Sequence, residues 1–377
     1  MRQLGNWQLA LHGRASLGYF REESYKGGSR FGSPNWAMAM LSRAFERARL
    51  TFSFMGSAER LTMGECGMPR LLAAGPACAD DGFGEYQHPH APVMEAGARL
   101  SYLLNSSVSV ELYAAAAGEP ALGPVHYLHR VSAAADPVAP MTFHEANPAH
   151  ASPGVLTAGI AGRVWKLEAS AFDGQPTNPD RVLPEVGPLN SYALRATLSP
   201  SSSWSVQVSG GRIPTAADHH TGAAGALRTF TASIAHSRQT ASGRALHATA
   251  VAMVLDDDNA TRRGAMLEGT LELSALTAVF ARAEAADRFY TTFTPVENPD
   301  GSHGHTIDVT RYGTGQLTLG YLQQWEVRTF RFGLGFRGSL SFIPREMKTL
   351  YGRDQAMGAA IFLDARPFTR AATTHAH

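Results

Sequence analysis

Cysteine is almost absent, charge is sparse and no long apolar run exists, and each shortage narrows what this chain can be. Two cysteines in 377 residues cannot build a disulfide framework, and two thiolates alone fall short of the usual zinc site. Asp, Glu, Lys and Arg make up 17% of the chain, below the roughly 25% of an average soluble domain. The formal net charge is only +1, so there is no basic field for nucleic acid, which is not an expected partner. No stretch reaches the about 18 consecutive apolar residues of a membrane helix. Met1 to Leu4 does not open a secretory signal either, because alternation begins at Trp7; an exported protein would carry its signal peptide outside this chain.

What the sequence does have is period-two alternation from end to end. In WQLALHGRASLGY the apolar set is Trp7, Leu9, Leu11, Ala15, Leu17 and Tyr19, with Gln8, His12, Arg14 and Ser16 between them. VMEAGARLSYLL repeats the pattern, and TFRFGLGFRGSLSF shows it most clearly, with Phe330, Phe332, Leu334, Phe336, Leu340 and Phe342 opposing Arg331, Arg337, Ser339 and Ser341. Such runs are strands with one oily and one polar face. About sixteen are present, each near the ~10 residues that a tilted strand needs to cross a bilayer. They begin near Trp7, Asn35, Arg49, Val93, Ser107, Gly154, Trp165, Asn190, Ser203, Ala226, Arg244, Arg263, Ala275, Tyr312, Val327 and Gln355.

The connections alternate in length. FERA, LNSS, GRV, SPSSS, QTASG, ELSA and QQWE are tight, whereas 21–34, 57–92, 118–153, 173–189, 212–225, 256–262, 287–311 and 344–354 are longer. The expected fold is therefore all-β: a transmembrane antiparallel up-and-down β-barrel with short periplasmic turns and long extracellular loops. It would form one domain over residues 1–377, with the barrel at 7–368 and a C-terminal tail at 369–377. All five tryptophans, Trp7, Trp36, Trp165, Trp204 and Trp325, fall at strand ends, as an aromatic girdle at the lipid headgroups requires. Cys66 and Cys78, in GECGMPRLLAAGPACADD, are expected to staple a loop as a disulfide, with free thiols as the alternative.

The final run, MGAAIFLDARPF, resembles the terminal strand by which outer-membrane barrels are recognised for assembly, although Pro367 and nine residues after Phe368 blunt its aromatic ending. Further segments, QHPH…ME (Gln87 to Glu95), GEPALGP…HR (Gly118 to Arg130), DPVAP…H (Asp136 to His144) and WKLEASAFDGQ (Trp165 to Gln175), resemble those of an uncharacterised family of Gram-negative outer-membrane barrels. That resemblance covers most of the chain. It implies the barrel and a Gram-negative outer-membrane address, with no assigned activity.

Two constellations carry candidate chemistry. Histidines gather on the long-loop side: His88 and His90 around Pro89, His126, His129, His144 and His150 in the following loop, then His219, His220, His303 and His305. Neutral imidazole is a common transition-metal ligand, so His88, His90, His126, His129 and His144, with Glu119, Asp136 or Glu145, could hold a divalent transition metal such as zinc or copper. HEANPAH is not a helical H-E-x-x-H, and the competing reading makes these histidines polar anchors that fix the loops over the barrel mouth. The second constellation is the lumen. Glu95, Arg99, Glu111, Lys166, Glu168, Arg195, Arg331 and Arg337, with Asp364 and Arg366, fall on the face opposite the oily one, as a pore lining of mixed sign or as ion pairs filling a closed lumen.

Other matches are weak. GLGFRG fits a dinucleotide glycine pattern but lies inside a strand, where its glycines are better read as room for a neighbouring side chain. LDDDNATRRGAMLE lacks the ligand spacing of a calcium loop. There is no G-x-S-x-G and no nucleophile–base pair, so an enzyme is not expected. The sequence thus points to an outer-membrane channel or facilitator for small polar solutes or ions, constricted by His-rich loops. A metal-binding surface barrel without a conducting pore is the alternative, and an outer-membrane enzyme a remote third. Outer-membrane lipid, lipopolysaccharide, the barrel-assembly machinery and a small polar solute or ion are the expected partners.

Overall fold

The computed structural model describes residues 2–73, 85–175, 177, 180–215, 225–257, 260–297 and 303–367. Among them, sixteen long strands close into one antiparallel barrel. These are β1 (Trp7–Glu22), β2 (Asn35–Ala44), β3 (Ala48–Gly56), β4 (Val93–Leu103), β5 (Ser109–Gly118), β6 (Ser152–Ala161), β7 (Trp165–Phe172) and β8 (Ser191–Ser201), followed by β9 (Trp204–Pro214), β10 (Ala226–Gln239), β11 (Ala245–Asp256), β12 (Thr261–Ser274), β13 (Thr277–Glu297), β14 (His303–Val327), β15 (Phe330–Phe342) and β16 (Gln355–Pro367). Each pairs with its neighbour in sequence, and β16 returns to β1 with Ala365 opposite Ala15 and Gly358 opposite Glu22. Closure satisfies backbone donors and acceptors that an open edge would leave bare in lipid.

Strand register puts the oily set outside. Leu11, Leu112, Leu194, Phe230 and Leu319 are exposed by 63, 60, 64, 60 and 63%, and they sit on different strands around the wall. A continuous apolar exterior of this extent is untenable in water and matches a hydrocarbon surround. Trp165, Trp204 and Trp325 lie exposed at strand ends among it. Trp36 departs from the expected girdle. It pairs in register with Arg14, and its ring packs edge-on against His12 and His129 at 5.4 and 5.1 Å, so it belongs to the lumen.

Two strands are longer than their alternation predicts. β13 and β14 pair without a break from Thr277 opposite Gln323 to Glu297 opposite His303, so most of the expected loop 287–311 is a hairpin extending the wall. Similarly, Gly28–Gly32 folds back on the upper half of β1, with Gly32 opposite Gly18. Residues that project beyond lipid have no reason to keep an oily face, and alternation alone cannot follow them.

The described parts of the first loop, 57–73 and 85–92, and the loop 119–151 turn inward and fill much of the lumen. Met63, Met68, Ala135 and Val138 from these loops pack against Phe20, Phe280, Leu322 and Phe362 from the wall. Apolar side chains therefore point inward on β1, β13, β14 and β16, because the loops give them something dry to touch. Gly335 fits here: a Cβ at that position would overlap the Phe362 ring, which is the room for a side chain that the GLGFRG pattern suggested. Cys66 is buried and disulfide-bonded, while Cys78 lies outside the described residues, as do His219 and His220.

The outward face makes a direct prediction. Leu319→Arg should lower bilayer-folded stability by about 2–4 kcal/mol, as a cation at the lipid face does, whereas Gln207→Arg on the lumen side should cost far less. Urea titration of the barrel in lipid vesicles, read by heat-modifiable gel migration, measures both; equal costs would contradict the assignment of faces.

Candidate functional site

The lumen site is built where the two inward loops meet the wall. The lower part of the second loop, VSAAADPVAPMT, is irregular because Pro137 and Pro140 lack the N–H groups that a helix or strand would need. Its carbonyls therefore require donors from elsewhere, and arginines supply them. Arg14 donates to the carbonyls of Ala134, Asp136 and Ala135 at 2.9, 3.0 and 3.0 Å. Arg366 donates to Ala134 at 3.1 Å and Arg282 to Val138 at 3.1 Å. Arg70 of the first loop donates to Ala139 at 3.0 Å, and Arg288 bridges both loops through the carbonyls of Leu72 and Met141 at 2.6 and 3.1 Å.

Each of these guanidiniums also meets a carboxylate. Asp364 takes Arg14 and Arg366 at 2.5 and 2.7 Å. Arg282 meets Asp136 at 3.2 Å and Glu268 at 3.1 Å, and Glu268 accepts Arg130 at 2.8 Å. Arg288 holds Glu145 at 2.6 Å, and Arg70 faces Glu284 at 3.3 Å. Arg337 is buried beneath the second loop at 3.4 Å from Asp136. Asp136 and Glu145, considered as metal ligands from sequence, are thus committed to arginines.

On the opposite wall a different row stays open. Arg99, Glu111, Lys166, Glu168 and Arg195 alternate in sign across β4, β5, β7 and β8, with contacts of 3.5, 2.5, 3.0 and 2.8 Å in succession. β6 contributes Gly159 between Glu111 and Glu168 in register, and the missing side chain lets Lys166 reach over it. Glu95 continues the row upward and accepts from Tyr113 at 3.1 Å and from Ser53. Arg331 stands apart, paired with Glu326 at 2.9 Å beside the β14–β15 turn.

Between these two halves runs a file of imidazoles. His12 contacts His129, His129 contacts His126, His126 contacts His90 and His150, and His88 contacts His90, His144 and His150, with ring centroids 4.9 to 6.3 Å apart. His88, His144 and His150 converge, each offering a ligand atom within 4.8 Å of the others. His90 is held by Glu59, donating through Nδ1 at 2.7 Å. Burial holds His126 and His144 well below the usual imidazole range, His150 at about 3 and His129 at about 4, with neighbouring histidines adding to the effect. These rings are neutral at pH 7.

Two cavities flank the file. One of about 130 Å³ is lined by Glu95, Arg99, Glu119, His126, His150 and Arg195, and one of about 440 Å³ by Ser132, Gln207, Trp204 and His247 near the short-turn rim. His129 lines both. Glu119 reaches the smaller chamber, where burial first and Glu95 next push its carboxyl up to about 8, against Arg195 and Arg130.

No protein-family model and no curated protein matches the sequence. Among solved structures the chain is similar to OprB of Pseudomonas putida, with a TM-score of 0.56 and 10% identity over 96% of this chain and 94% of that one. It is also similar to an anion-selective porin from Comamonas acidovorans, with a TM-score of 0.55 and 11% identity over 96% and 99%. OmpT, an outer membrane protein of Vibrio cholerae, aligns with a TM-score of 0.52 and 9% identity over 97% and 98%. The fold is that of a porin.

Within this porin fold, the charged residues read from sequence separate into a partly hydrated row (Glu95, Arg99, Glu111, Lys166 and Arg195, with Glu168 buried among them) and a set under the second loop, where Arg337 and Asp364 are buried and Arg366 is half-buried. Of the expected metal set, His88 and His144 converge, while His90, His126 and His129 trail away along the file. His126 accepts from the Leu128 N–H through Nδ1 at 3.1 Å, which leaves its Nε2 protonated rather than free to ligate. His150 completes the convergent set in place of these. The signal for it was the six-residue HEANPAH spacing, too long for one helix face but spanned here by the short helix Phe143–Ala146 and the turn after it.

Arg282→Met should strip donors from Val138, Asp136 and Glu268 and weaken loop docking by about 3–5 kcal/mol, the cost of breaking a buried pair. The barrel should still form while the 119–151 loop becomes open to limited proteolysis; an unchanged digestion pattern would count against this docking role. Glu119 gives a pH prediction. The native chain keeps a proton that the unfolded chain loses near 4.5, so its contribution to stability falls as pH rises from about there toward 8. Glu119→Gln should be neutral at pH 5 and stabilising by about 1–3 kcal/mol at pH 8.5, water in the chamber moderating the effect. Thermal unfolding at the two pH values measures the difference.

Proposed function

We propose that this protein is a channel of a Gram-negative outer membrane for small polar or ionic solutes, narrowed by its two inward loops. The observation that carries this reading is the contrast between the two halves of the lumen wall. Under the loops, Arg282, Glu268 and Asp136 keep side-chain exposures of 2, 1 and 3%. On the facing wall, Arg99, Glu111, Lys166 and Arg195 keep 45, 23, 25 and 20%, around a buried Glu168, and on the loop side only Arg366, at 24%, is comparably exposed among the charged residues read from sequence. A lumen packed purely for stability would desolvate both halves alike. Leaving one alternating row wet provides a polar path past the histidine file, with cations and carboxylates setting a transverse field across it.

The balance of that row, with Arg99, Lys166 and Arg195 against Glu95, Glu111 and Glu168, favours polar or zwitterionic solutes over a strongly selected ion. The porin folds of the similar structures support the same reading, and the resemblance of QHPH…ME and its companion segments to an uncharacterised family of Gram-negative outer-membrane barrels supports the outer-membrane address. Lipid and lipopolysaccharide at the rim, and the barrel-assembly machinery, are the partners that this address implies.

Single-channel recording in planar bilayers tests it. The wild type should give a small, stable conductance, and replacing 120–150 by a short Gly-Ser bridge should raise it several-fold. Lys166→Glu with Arg195→Glu should move the reversal potential toward cation preference. A silent wild type would overturn the channel. Conductance with an unmoved reversal potential would place the path away from this wall.

A further inference from the structure

We propose that His88, His144 and His150 form a binding site for one divalent transition-metal ion, zinc or copper, that joins the two inward loops inside the barrel. The site does not depend on whether the lumen conducts. His88 comes from the first loop, and His144 and His150 from the second, with their ligand atoms within 4.8 Å of one another. Tetrahedral zinc with Zn–N bonds of about 2.0–2.1 Å sets its nitrogens about 3.3 Å apart, so side-chain rotations of about an ångström complete the shell.

The rings are already oriented for this. His88 Nδ1 lies 3.0 Å from the Pro89 carbonyl and His150 Nδ1 lies 3.0 Å from the Asn147 carbonyl. A carbonyl only accepts, so both Nδ1 atoms carry the proton and both Nε2 lone pairs face away, the outer-sphere arrangement that fixes metal-binding histidines. His88 Nε2 and His144 Nε2 stand 2.8 Å apart. Two lone pairs at that separation repel unless a proton or a cation lies between them, and a metal ion serves all three nitrogens where a proton serves two. The imidazoles are partly exposed rather than sealed, which leaves an entry route and a coordination position for water or an arriving ligand. Phe143 walls the other side, 4.7 Å from His150 and 5.4 Å from His144 by ring centroid.

Ligand chemistry selects the metal class. Three neutral nitrogens with no carboxylate or carbonyl in the set suit zinc or copper and give calcium or magnesium nothing hard to bind.

The test is metal titration of the refolded, chelator-washed barrel in detergent with Zn²⁺, Cu²⁺ and Ca²⁺. One zinc or copper per chain and no calcium is the expected result. His88→Gln, His144→Gln and His150→Gln should each weaken binding by more than the roughly 10–100-fold that loss of an outer-sphere partner costs, while His247→Gln, outside the cluster, should not. Heat-modifiable migration verifies that each variant folds. The wild-type Cu²⁺ spectrum needs no variant: nitrogen hyperfine splitting from imidazoles supports the site, and an all-oxygen spectrum overturns it. Failure to retain a stoichiometric ion, or retention that survives all three substitutions, also overturns it.

Discussion

The structure depends on arginines that donate to the carbonyls of a proline-punctuated loop held at membrane depth. A chain folded irregularly inside a barrel carries acceptors that neither helix nor sheet satisfies, and each one left bare costs several kcal/mol. Pro137 and Pro140 remove donors from the segment itself. Arg14, Arg366, Arg282, Arg70 and Arg288 supply them, because one guanidinium offers five N–H groups in a fixed fork. The carboxylates beside them, Asp364, Glu268, Glu284 and Glu145, keep those cations from being buried unpaired. Loop and wall therefore specify each other.

The lumen is asymmetric as a consequence. Where arginines grip the loops, water is excluded, and the wall turns apolar enough for Phe20, Phe280 and Phe362 to face inward. Where no loop carbonyl needs a donor, Arg99, Lys166 and Arg195 pair only with wall carboxylates and remain hydrated. The histidines occupy the seam between these regimes; burial holds His126, His129, His144 and His150 well below the usual imidazole range, yet the file borders open space. That position explains why anchoring and ligand binding, which looked like alternatives, coexist: His90 is tied to Glu59 as an anchor, while the Nε2 lone pairs of His88 and His150 face away from their backbone tethers.

Much of the wall was legible in the sequence. Strand starts at Trp7, Asn35, Val93, Trp165, Ala226 and Gln355 coincide with the alternation, because hydrocarbon outside and polar groups inside impose period two on every crossing. The legibility ended where lipid did. The pairing at 287–311 is set by backbone register, and that at 28–32 by contact with the first loop, where Arg30 donates to the Met63 and Gly67 carbonyls; neither carries the period two that lipid imposes. Trp36 misled for the opposite reason: its place at a strand end fits a headgroup girdle, but register, set by pairing with Arg14, turns it inward. Glu145 and Asp136 likewise resembled ligands until the arginines beside them became visible.

By itself the sequence determined the barrel, its strand number, which rim carries the long loops and which residues meet lipid, since each of these follows from a local period read against a uniform solvent. It could not determine what fills the lumen. Whether loops 57–92 and 119–151 lie over the mouth or descend into it, which wall they leave wet, and which three of many histidines meet are matters of contact between residues distant in sequence, 56 positions for His88 and His144 and 144 for Arg282 and Val138. Such contacts are decided by donor and acceptor matching in three dimensions, and no periodicity along the chain records them.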